Sequence, residues 1–75
     1  MTGDVVVHVR LVNEPVDVWR PVVAEPISNR TFKIVEQPYN SDIEQWEFGP
    51  GSEVVCESIV VDGGSIIAAV RSVTS

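Results

Sequence analysis

At 75 residues with one cysteine, the chain cannot form an internal disulfide. A domain of this size buries only about 60% of the surface its unfolded form exposes, so residues 1–75 are read as a single domain held by an apolar core alone. The formal net charge of −6 is local: Glu36, Asp42, Glu44, Glu47, Glu53 and Glu57 share one stretch that contains no Lys or Arg. Elsewhere Asp4, Glu14, Asp17, Glu25 and Asp62 are offset by Arg10, Arg20, Arg30, Lys33 and Arg71. That balance argues against nucleic acid, whose phosphates need a basic surface, and against anionic membranes.

A single Cys in so small a chain points to a reducing compartment. The start, Met1-Thr2-Gly3-Asp4, carries no basic segment, and Val5-Val6-Val7 is too short for a signal-type apolar run. No stretch approaches the ~20 apolar residues of a membrane span. The expectation is a cytoplasmic protein.

Val dominates the apolar residues and Leu is nearly absent, a bias that favours strands because β-branched side chains pack well on a pleated surface. Val5 to Val12 alternates, with Val5, Val7, Val9 and Leu11 on one face. Asn13-Glu14-Pro15 closes this strand. A second strand spans Val16 to Glu25. Because Pro21 cannot donate to a ladder, the strand must be an edge or a bulge near Arg20-Pro21, and Pro26 ends it. Ser28-Asn29-Arg30 turns the chain into Thr31–Glu36, with Phe32 and Ile34 facing inwards.

From Gln37 to Pro50 the alternation is lost. Ser41-Asp42-Ile43-Glu44 has the spacing of a capping box, which allows at most one helical turn near Ser41–Gln45 before Phe48-Gly49-Pro50-Gly51. Trp46 and Phe48, two apart, are placed to plug one side of a core. A strand over Glu53–Val61, the hairpin signal Asp62-Gly63-Gly64 and a strand over Ser65–Val73 complete the chain. Five to six short strands joined by short turns predict an all-β antiparallel meander closing into a small SH3-like barrel, with an OB-like barrel as the alternative.

The runs Arg10-Leu11-Val12-Asn13-Glu14, Asp17-Val18-Trp19-Arg20-Pro21-Val22 and Glu44-Gln45-Trp46-Glu47-Phe48-Gly49-Pro50-Gly51-Ser52-Glu53-Val54-Val55-Cys56 resemble a group of small, functionally uncharacterised bacterial proteins. The resemblance covers Val7 to Val70. Its most specific part is Trp-Arg-Pro-Val followed by Trp-Glu-Phe and Pro-Gly. It implies a compact β domain that stands alone, bacterial and cytoplasmic, and carries over no catalytic or ligand-binding residue. The Pro-Gly-x-x-Val entry into a strand also resembles SH3-like barrels.

Trp19, Tyr39 and Trp46 are candidates for the wall of a groove beside the acidic stretch, where cation–π contact and charge would take an Arg- or Lys-bearing peptide. The competing reading makes the aromatics core filling, Trp46 and Phe48 above all. Arg20 is either a recognition residue or a structural partner of a carboxylate such as Glu47 or Glu14, or stacks on a tryptophan. Asp42, Glu44 and Glu47 are oxygen donors without metal-loop spacing, so no metal or other cofactor is expected. His8 and Cys56 alone could carry chemistry. Neither has a catalytic context, and an enzyme is not expected.

The reading favoured by the sequence is a non-enzymatic interaction module. Its acidic face, Glu36 to Glu57, with Trp19, Arg20, Tyr39, Glu44, Trp46, Glu47 and Glu53 as binding residues, would take a basic protein or peptide. An inhibitor of a basic toxin or nuclease would fit that charge. The alternative is a structural protein that forms a homodimer through an edge strand, at Arg20-Pro21 or along the last strand.

Overall fold

The structure, a computed structural model, describes residues 3–39 and 42–73. Among these residues five strands form: β1 (Val5–Arg10), β2 (Trp19–Ser28), β3 (Thr31–Ile34), β4 (Glu53–Val61) and β5 (Gly64–Ser72). Each pairs with the next in antiparallel fashion, and the order β1-β2-β3-β4-β5 closes into a barrel. Five alternating strands leave the first and last running the same way, so closure is parallel, at His8 and Ala68. The consecutive order is that of a meander, as in an SH3-like barrel, and not the Greek-key order of an OB-fold.

Alternation supplies the core. Val7, Val9, Val22, Ala24, Ile34, Val54, Cys56 and Ala69 point inwards, and all are almost fully buried. Leu11 and Trp46 complete the cluster at one end, with Val18, Phe32 and Phe48 half-buried against it. Trp46 and Phe48 therefore do fill the core. No helix is present among the described residues, so none is long and apolar enough to cross a membrane. Ser41, which opens the expected capping box, lies outside the described residues. Asp42 and Ile43 form a turn.

The two prolines of β2 explain where the predicted boundaries fail. Strand β2 begins three residues later than the alternation suggests, because Val16 and Asp17 are exposed and unpaired in the sheet. It then runs through Pro26 to Ser28 instead of stopping at Pro26. Val35 N–H donates to Val23 O, so the polar groups of Val23 face the β3 side. By the two-residue period, Pro21 turns its missing donor to that same side, and Pro26 turns its own towards β1. Pairing with β3 begins only at Ala24, and pairing with β1 ends at Ala24. Neither proline faces a strand where it lacks the donor. Pro21 thus lies on an edge, and the register irregularity falls between Pro26 and Ser28.

Candidate functional site

The ladder of β1 does not end at Arg10. Leu11 N–H donates to Val18 O, while on the other side Glu47 N–H donates to Arg10 O and Val12 N–H to Gln45 O. A bridge between Leu11 and Trp46 lies at the centre of this short extra ladder. Trp46 therefore shares the inward face of Leu11 and seals the barrel mouth, and Glu47 shares the outward face of Arg10.

Arg20 sits opposite Val9 in the β1–β2 register. Its side chain is thus directed to the inner face, at the level where the barrel opens. There it meets Glu44: Arg20 Nε donates to Glu44 Oε1 at 3.2 Å, and Trp46 Nε1 donates to the same oxygen at 2.9 Å. Tyr39 closes the group. Its hydroxyl oxygen accepts from Trp46 N–H at 3.2 Å, and its ring lies 4.4 Å from the Trp46 ring, tilted by 36°. Together with Pro38 and Ile43, these four side chains line an open cleft of about 320 Å³.

The residues singled out in the sequence thus divide between two places. Arg20, Tyr39, Glu44 and Trp46 converge at the mouth. Trp19 and Glu47 lie on the outside of the wall around Arg10: Trp19 is its neighbour across the β1–β2 ladder, and Glu47 Oε1 is 3.8 Å from Arg10 Nε. Asp17 completes this second group, 3.9 Å from Arg10. Glu53 stands apart, opposite Lys33 on the β3–β4 ladder. The ion-pair partner of Arg20 is Glu44, and neither Glu47 nor Glu14, because Glu47 faces the other side of the wall from the mouth.

The acidic stretch is consequently less bare than its sequence. Arg20 and Arg10 meet Glu44 and Glu47, whereas Glu36, Glu53 and Glu57 have no ion-pair partner among the described residues. Among those residues no group of three or more His, Cys, Asp or Glu side chains converges.

His8 and Cys56 face opposite sides of the wall. His8 shares an outward row with Ala68 and Glu57, while Cys56, next along β4, points into the core. Burial pushes the Cys56 thiol up to about 11. His8 Nδ1 is buried with no hydrogen-bond partner among the described residues.

Sequence reasoning missed Gln37. Its side-chain amide accepts from Val23 N–H at 3.1 Å and donates to Val23 O at 2.9 Å and Val35 O at 2.8 Å. In effect it extends the short strand β3 along β2 and holds the segment that carries Tyr39. A glutamine following a β-branched strand was the only available signal. No protein-family model matches the chain, and no curated protein or solved structure does either.

Proposed function

We propose that this protein is a non-enzymatic interaction module that binds a basic segment of another polypeptide in the cleft at the barrel mouth. The observation that carries the reading is the placement of the Glu44 carboxylate beside the tilted Tyr39–Trp46 ring pair in an open cleft. An incoming Lys or Arg would lie over the Tyr39 ring and reach Glu44 from solvent, combining cation–π attraction with charge. Both donors to Glu44 among the described residues use Oε1, and Oε2 accepts from none of them. Glu36, Glu53 and Glu57 add a long-range field that raises the encounter rate with a basic partner. This charge also favours a polypeptide over nucleic acid or anionic membrane as partner.

The test is titration of a Lys/Arg-rich peptide followed by tryptophan fluorescence and backbone amide shifts, at low and high salt. The reading expects shifts centred on Tyr39, Glu44 and Trp46, weakened by salt, and lost in Tyr39→Ala and Glu44→Gln with the rest of the spectrum retained. Shifts spread over the whole acidic surface and unaffected by either substitution would count against the cleft.

A further inference from the structure

Beyond Cys56, strand β4 has a neighbour on one side only among the described residues. Cys56 N–H donates to Arg30 O at 2.8 Å, the last backbone contact between β4 and the β2–β3 hairpin. Pairing with β3 covers only Glu53 to Val55, whereas pairing with β5 continues to Val61 and Gly64. The two-residue period turns the N–H and C=O groups of Ser58 and Val60 to the same side as those of Cys56. No strand lies there among the described residues. The outer part of the β4–β5 hairpin is thus a two-stranded arm, a form that is marginal in water by itself.

This edge lacks the usual protections against pairing. Ser58 to Val61 contains no Lys, no Pro and no inward charge, and the register shift between Val55 and Cys56 lies at the root of the arm and not along it. Val60 is 89% exposed, the most exposed large apolar side chain among the described residues, and Ile67 beside it is 42% exposed. At the root, Phe32, Cys56 and Ile67 form the apolar part of a second cleft of about 390 Å³, with Arg30 and Glu57 at its rim.

We propose that a second copy of this chain docks on the β4 edge, with the two β4 strands antiparallel about a two-fold axis at Val60. Such pairing is self-complementary, as a closed dimer requires. Val60 then forms a hydrogen-bonded pair with its own symmetry mate, and Ser58 pairs with Asp62 of the second copy. The register also brings charges together. Arg30, opposite Cys56 and without an ion pair among the described residues, comes within reach of Asp62 of the second copy, whose turn covers the root cleft. Both acidic residues nearest the edge, Glu57 and Asp62, lie outside its apolar centre. This surface is separate from the cleft at the barrel mouth, and the dimer does not depend on that site's function.

The experiment is sedimentation equilibrium of the full chain under reducing conditions, from micromolar to millimolar concentration, at low and high salt. A concentration-dependent dimer that persists in high salt is expected, because screening relieves the repulsion between two acidic chains. Val60→Lys leaves the monomer folded, as judged by circular dichroism, and raises the dissociation constant by at least about tenfold. Arg30→Asp and Asp62→Lys each weaken the dimer, and the double variant recovers most of the loss. A wild type that stays monomeric at millimolar concentration overturns the proposal. So does a dimer whose affinity is unchanged by Val60→Lys, or a charge-exchanged pair no better than its single variants.

Discussion

The indole N–H of Trp46 donates to Glu44 Oε1 at 2.9 Å, so the core residue that seals the barrel is tied to the carboxylate of the candidate cleft. Arg20 donates to the same oxygen. Core filling and ligand contact are therefore joined in one hydrogen-bonded group. Glu44→Ala leaves a half-buried indole N–H without its acceptor and should cost about 1–2 kcal/mol. Glu44→Gln keeps a neutral acceptor and should cost roughly half of that. Glu47→Ala breaks only a 3.8 Å surface pair with Arg10 and should cost less than about 1 kcal/mol. Urea unfolding of the three variants checks the order; equal midpoints for Glu44→Ala and Glu47→Ala would separate Glu44 from any structural role.

Gln37 replaces a missing piece of strand with its side chain. Gln37→Ala leaves Val23 N–H to water on an exposed edge, while Val23 O keeps the bond from Val35 N–H, so the loss should be about 1 kcal/mol. Gln37→Glu should be worse than Gln37→Ala. Its carboxylate can still accept from Val23 N–H, but it offers no donor and lies against the Val23 and Val35 carbonyl oxygens. Urea unfolding of the three proteins measures this: stability should fall in the order Gln, Ala, Glu. An acid variant as stable as wild type would remove the donor argument.

The strands were legible because one face of each is buried, and burial imposes the two-residue period that Val7, Val9, Val22, Ala24, Val54 and Cys56 display. The turns at Asn29-Arg30 and Asp62-Gly63 are legible from local turn chemistry, since Asn, Asp and Gly favour turn backbones. What escaped was non-local. Pro26 looks like a stop in the sequence, which does not show which side of a strand is unpartnered, yet β2 runs through it. Proximity in sequence and type points Arg20 to Glu14 or Glu47, but the bridge between Leu11 and Trp46 fixes which of the carboxylates faces the mouth, and that is Glu44. The charge of the Glu36–Glu57 stretch was plain, and its partial pairing with Arg10 and Arg20 was not, since both arginines arrive from strands distant in sequence. Trp19 shares only its residue type with Tyr39 and Trp46, and the period of β2 places it on the opposite side of the wall.

Gly63 isolates the cost of backbone conformation. Its φ is 90°, and a Cβ built there would meet nothing within 4 Å. Gly63→Ala therefore introduces no clash, and the whole effect should be the left-handed backbone penalty, about 1–2 kcal/mol. Thermal unfolding of the variant checks this. A loss near zero would mean that the hairpin turn relaxes to another type, which a change in the Val61–Gly64 pairing would reveal.

Cys56 supplies the pH dependence. Burial raises its thiol from the ordinary 9.0 to about 11. Below pH 9 it is protonated in the folded and the unfolded chain alike and contributes no pH dependence. Between pH 9 and about 11 the unfolded chain releases a proton that the folded chain retains. The folded state then binds more protons, so stability falls as pH rises, by about 2–3 kcal/mol at the top of the window. Cys56→Ala should be less stable at neutral pH, because it removes a buried side chain, and should lack this slope. Subtracting its stability curve from that of wild type isolates the contribution of the Cys56 thiol. The same burial predicts that alkylating reagents at pH 8 reach the thiol only when the chain opens, so the labelling rate should rise with urea in step with unfolding. Parallel wild-type and Cys56→Ala pH curves, or rapid labelling without urea, would place the thiol at the surface and undo the assignment of Cys56 to the core.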